Sequence, residues 1–164
     1  VMASMEIDAK SNCPCGSGKQ YSQCCQPYHQ HQIPAPTPEA LMRSRYAAFV
    51  LHLFGYLEKT HHPDFRHGLT ATSLAQGKQP DWLTLNVISS EQQDCRGTVL
   101  FKAWYKIDGK LDAIYEQSNF LLVDKHWFYT DGEQYQTALP KRNDSCICGS
   151  GRKFKLCCMN KLLR

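Results

Sequence analysis

The apolar positions of this chain change their period once. Met42, Tyr46, Phe49, Leu53 and Leu57 recur three or four residues apart, the spacing of one face of an amphipathic helix. Thr37 in the N-cap position, Pro38 at the first helical position and Glu39 in the first turn mark where that helix starts. Gly55 is the expected point of a bend. Thr60-His61-His62-Pro63 should end the run, because the residue before a proline avoids the helical region. A loop with a short helix is expected up to about Pro80. From Trp82 the period becomes two: Leu83, Leu85 and Val87 alternate with Thr84 and Asn86, and Val99, Phe101, Ala103, Tyr105 and Ile107 alternate with Lys102 and Lys106. Asp108-Gly109 predicts a two-residue hairpin turn. A third strand is then expected from about Lys110 to Val123. A turn at Asp124-Lys125 leads to a fourth, His126 to Thr130, before Asp131-Gly132. Helices followed by an antiparallel meander predict an α+β fold, with the helices packed on one face of the sheet.

Both ends of the chain lie outside this pattern. Residues 13–25 read CPCGSGKQYSQCC and residues 146–158 read CICGSGRKFKLCC, so one thirteen-residue motif of four cysteines occurs twice. Cys13, Cys15, Cys24 and Cys25 form one set; Cys146, Cys148, Cys157 and Cys158 form the other. Four thiolates per set are what a closed tetrahedral zinc site uses, which predicts two zinc ions per chain. A segment this short cannot bury a useful apolar core, and bound metal would supply its stability. Disulfides are the rival reading. No apolar secretory segment stands near the start, which favours a reducing, cytoplasmic setting and hence metal. The C-x-C and Cys-Cys spacing matches none of the common iron–sulfur patterns. His29 and His31 follow the first set and could compete with Cys25 as fourth ligand. The second set has no such neighbour and still keeps its Cys-Cys pair, which favours Cys25. Cys95 belongs to neither set.

The 164 residues allow one domain of ordinary size with small appendages, and no apolar stretch approaches the length of a membrane span. The expected division is residues 1–30, 31–140 and 141–164. Gln26 to Pro38, with four prolines and three glutamines, reads as a linker. Charge is uneven. Residues 141–164 hold seven Lys/Arg against Asp144 alone, residues 38–140 hold ten cations against twelve acids, and residues 1–37 are balanced. Arg152, Lys153 and Lys155 therefore make the second cysteine module the candidate contact for an acidic protein face, RNA or the ribosome. The competing reading is a solvated finger whose cations offset its own thiolates.

The repeated motif resembles the SEC-C zinc motif, named for the tail of the SecA translocation ATPase. That tail commonly closes with Cys-His, whereas both copies here close with Cys-Cys, which still supplies four ligands. No phosphate-binding loop of the ATPase is present. With CCQPYH and PEALMRSRYAAFV at residues 38–50, the resemblance extends to the bacterial YchJ family over nearly the whole chain. It implies a central cone-like domain similar to nuclear transport factor two, flanked by the two zinc modules, and brings no established activity with it. Cones of this kind often enclose a pocket. His61, His62, Asp64, Trp104, Tyr115, Glu116 and Trp127 are the candidates for lining one, as a small-molecule or catalytic site. Arg43 and Arg45 could hold an acidic ligand or bridge the helix to strand acids such as Glu116; the structural role is the expected one. The leading reading is a protein-interaction module carrying two structural metal sites.

Overall fold

In the computed structural model, which describes residues 4–162, Thr37 Oγ1 accepts a hydrogen bond from the Ala40 amide and Pro38 opens the main helix, as the start signal predicts. Arg164, counted among the C-terminal cations, lies outside the described residues. In chain order the helices are α1 (Gln26–His29), α2 (Pro38–Val50), α3 (Phe54–Thr60), α4 (Ala71–Gln76) and α5 (Cys158–Leu162). Between α4 and α5 run the strands β1 (Asp81–Gln93), β2 (Arg96–Ile107), β3 (Lys110–Val123) and β4 (His126–Tyr135). They form one antiparallel sheet in the order β1-β2-β3-β4.

The helical run is broken, as expected, but at Leu51–His52 and not at Gly55. α2 stops at Leu51; His52 then takes a left-handed conformation (φ 58°) with its ring stacked on Phe54, and α3 starts afresh with Gly55 inside it. This bend lets Met42, Tyr46 and Leu57 all reach one core while α3 turns back along α2. α2 is buried on more than one side because two layers cover it. Met42 and Tyr46 pack toward the sheet, whereas Ala47 and Leu51 face the N-terminal cysteine module.

The sheet is curved by bulges at Trp82/Thr84, Val87/Ser89 and Ser118/Phe120. Its concave side presents Leu85, Phe101, Ala103 and Phe120 to α2 and α3, and Val99 is completely buried. β4 continues past Asp131-Gly132 to Tyr135 instead of turning there. Gly132 pairs with Ser118, and a Cβ at position 132 would collide with the Glu116 side chain. That glycine serves a close approach, not a turn.

Candidate metal centres

Each cysteine module is built the same way from local hydrogen bonds. In the first, Asn12 bridges to Gln20 and the Cys13 amide donates to Lys19 O; in the second, Ser145 bridges to Lys153 and the Cys146 amide donates to Arg152 O. The Gly-Ser-Gly tip between these strandlets needs left-handed backbone at both glycines, with φ of 79° and 82° in one module and 77° and 79° in the other. A single 3-10 turn, Tyr21–Gln23 or Phe154–Leu156, then returns the chain so that the Cys-Cys pair faces the C-x-C pair.

The four sulfurs of each set lie within 4.8 Å of one another. Sγ···Sγ separations are 3.6 Å for Cys15–Cys24, 3.9 Å for Cys24–Cys25, and 3.5 Å for both Cys146–Cys148 and Cys148–Cys157. Thiolates at about 2.3 Å from a tetrahedral zinc stand about 3.8 Å apart, so the donor sets fit one ion each, and all nine cysteines are unpaired. Sequence reasoning gave the central Ser of the tip no role beyond the turn. Ser17 Oγ lies 3.2 Å from Cys24 Sγ and Ser150 Oγ 3.4 Å from Cys157 Sγ, placing a hydroxyl donor against one thiolate in each module. Its recurrence in both copies was the available signal.

His29 is engaged elsewhere. It is buried, its Nδ1 stands 2.6 Å from the Tyr21 hydroxyl, and its Nε2 lies 2.7 Å from Ser44 O. Since a carbonyl only accepts, Nε2 carries the proton and Nδ1 accepts from Tyr21. Desolvation lowers the pKa of this ring from its ordinary value. His31 sits against the Tyr56 ring. Cys95 is exposed in the β1–β2 turn, away from both clusters.

The two modules dock on different layers. The first rests on α2, where Cys13, Cys15, Tyr21 and Cys25 pack with Ala47 and Leu51, and Arg43 Nη1 donates to Cys15 O at 3.1 Å. The second lies on the convex face of the sheet. There Leu111 packs on its cluster, Asn86 Nδ2 donates to Ile147 O at 3.2 Å and Lys106 Nζ donates to Lys161 O at 3.3 Å. Of the three cations singled out, Arg152 turns one guanidinium nitrogen to Cys157 Sγ at 3.8 Å, the charge offset of the competing reading. Lys153 is exposed and Lys155 half-buried, and Leu156 beside them is 59% exposed.

The concave side of the sheet holds a half-enclosed cavity of about 150 Å³. Of the seven residues proposed for such a pocket, only Glu116 lines it. Trp104 is buried and Tyr115 lies beneath Lys102 on the convex face, because they have the opposite strand parity to Glu116, Ser118 and Phe120. Trp127 belongs to the core and to a separate recess beside residues 31–35. His61 is buried and donates to Thr130 O at 3.0 Å, His62 Nδ1 accepts from the Asp64 amide, and Asp64 is exposed. Two cavity residues that periodicity did not select are Arg45 and Tyr129. Arg45 Nη1 donates to Leu57 O at 2.8 Å and Thr60 Oγ1 at 2.6 Å, and its guanidinium lies 4.8 Å from the Tyr129 ring centre. Burial brings its pKa down to about 10, leaving it charged at neutral pH. Glu116 accepts from Ser118 Oγ (2.7 Å), Tyr129 OH (3.1 Å) and Gln134 Nε2 (3.2 Å).

An α+β cone carrying a closed four-cysteine module at each end defines the class: a SEC-C motif protein with a middle domain like nuclear transport factor two. Residues 37–132 match the YchJ middle NTF2-like domain, and residues 11–27 and 142–160 match the SEC-C motif. The chain belongs to the YchJ-like family of UPF0225 proteins. It is 54% identical over 157 residues to a UPF0225 protein of Shewanella sp. (strain MR-7), covering 90% of this chain and 95% of that one. Identity is 39% over 164 residues to a UPF0225 protein of Vibrio parahaemolyticus, with 90% and 98% covered. Among solved structures, a SEC-C motif containing protein from Rhodopseudomonas palustris superposes with a TM-score of 0.71 at 38% identity, over 77% of this chain and all of that one. Another, from Psychrobacter arcticus, gives 0.68 at 33% identity, over 93% and 97%.

Proposed function

We propose that this is a zinc-binding interaction protein of a reducing, cytoplasmic compartment, in which the cone displays two structural zinc modules and the C-terminal one engages an acidic protein surface. The observation that carries the reading is the pair of complete four-sulfur sets. Each uses all four positions of a tetrahedral ion, which leaves none for water or substrate and favours a structural over a catalytic metal. No helix among the described residues is long and apolar enough to cross a membrane. The modules differ where a partner would touch them. The N-terminal one is spent on α2, while the C-terminal one presents Lys153, Lys155 and the exposed Leu156 at positions where the first copy has Gln20, Ser22 and Gln23. An apolar side chain next to two lysines suits an acidic face with an apolar centre.

The test is a charge reversal that spares the sulfurs. Lys153→Glu/Lys155→Glu should retain metal and fold while losing the partners that the parent captures. Capture of the same proteins by both would remove this face from the reading. Retention of RNA by the parent, falling steeply with salt, would replace the protein partner with nucleic acid.

A further inference from the structure

The cavity of the cone carries a ligand chemistry that is independent of the metal sites. Its apolar wall is largely aromatic, with Phe49, Trp82, Phe101 and Phe120 among the lining side chains. At about 150 Å³ it matches the size of an apolar cavity that accepts benzene. One end is polar, and the hydrogen-bond inventory there is uneven. The hydroxyls of Ser118 and Tyr129 are both committed as donors to Glu116 Oε1. Glu116 Oε2 takes one bond, from Gln134, and retains a free lone-pair direction. Arg45 is nine-tenths buried and lines the cavity, yet only Nη1 is bonded to protein; Nε–H and Nη2 find no acceptor among the described residues. Arg45 and Glu116 share this end without closing into an ion pair among the described residues.

We infer that the cavity binds a small, uncharged aromatic molecule bearing a hydroxyl group, with the ring among the aromatic walls and the hydroxyl between Arg45 and Glu116. A hydroxyl accepts from the guanidinium and donates to the carboxylate at once, which gives each of the two groups a partner. A ligand carboxylate can only accept and would stand beside Glu116. A plain hydrocarbon would fill the volume and leave the Arg45 donors unmet, a loss of about one hydrogen bond or fivefold in affinity.

The test uses the metal-loaded full chain, titrated with phenol, toluene and benzoate and followed by two-dimensional amide and indole NMR. Phenol should saturate, shifting the Trp82 indole and the Ser118 and Phe120 amides while the Trp104 indole on the opposite face stays still. It should bind about fivefold more tightly than toluene, and benzoate more weakly than phenol. Ala103→Leu, which adds carbon to the cavity wall, should abolish the phenol response. Absence of saturation, or shifts confined to other regions, overturns the site. Toluene equal to phenol overturns the hydroxyl assignment, and benzoate tighter than phenol overturns the neutral class. The ligand comparison in the parent protein decides the matter even if Ala103→Leu does not fold.

Discussion

Arg43 reaches across from helix α2 to donate to the backbone carbonyl of Cys15, 3.1 Å away, between the first sulfur pair and the Gly-Ser-Gly tip. An arginine of helix α2 thereby clamps a cysteine loop. Glu39, one turn earlier, stands 4.0 Å from the same guanidinium. The pair locks the module's orientation while Ala47 and Leu51 provide the apolar seat beneath it.

Arg43→Ala should cost about 1–2 kcal/mol of stability, the range for a part-exposed hydrogen bond to a charged donor. Both metals should remain bound, because no ligand is removed. Chemical denaturation with parallel metal analysis checks this. An unchanged midpoint would show that the contact contributes nothing in solution.

His61 sets a pH dependence. Burial lowers its pKa, the Arg45 and Arg66 charges act the same way, and the hydrogen bond to Thr130 O opposes them without reversing the direction. The folded state therefore holds His61 neutral, whereas the unfolded chain takes up a proton near pH 6.5. This contribution to stability is fully present above about pH 6.5 and is lost as pH falls from there toward the lower folded-state value. NMR titration should place the His61 midpoint below that of a free histidine. A midpoint at or above it would contradict the burial argument.

Gly132→Ala should destabilise by about 1–3 kcal/mol, since the new methyl meets the Glu116 side chain and must displace it from its three donors. Thermal unfolding measures the loss, and a wild-type midpoint would mean that Glu116 moves freely.

What was legible in the sequence follows from how local each determinant is. The Thr37 cap, the Asp108-Gly109 turn and both cysteine modules depend on residues a few positions apart, and they stand where the sequence places them. The break at His52 has no glycine or proline to announce it; it follows from packing α3 back on α2. The pocket residues depended on knowing which sheet face the helices cover. Both faces carry aromatic residues, because the C-terminal module covers part of the convex side near Leu111 and Asn86, so composition alone did not separate Trp104 and Tyr115 from the true lining. Arg45 has the structural role expected of it, but through Leu57 O and Thr60 Oγ1 and not as a bridge to Glu116; nothing in the local sequence reveals that α2 is covered on two sides.

Metal content tests the central claim most directly. Native mass spectrometry of protein purified without chelator, together with elemental analysis, should find two zinc ions per chain in the parent and one in Cys146→Ser/Cys148→Ser. Fewer than two in the parent, or cysteines recovered as disulfides under reducing purification, would contradict it.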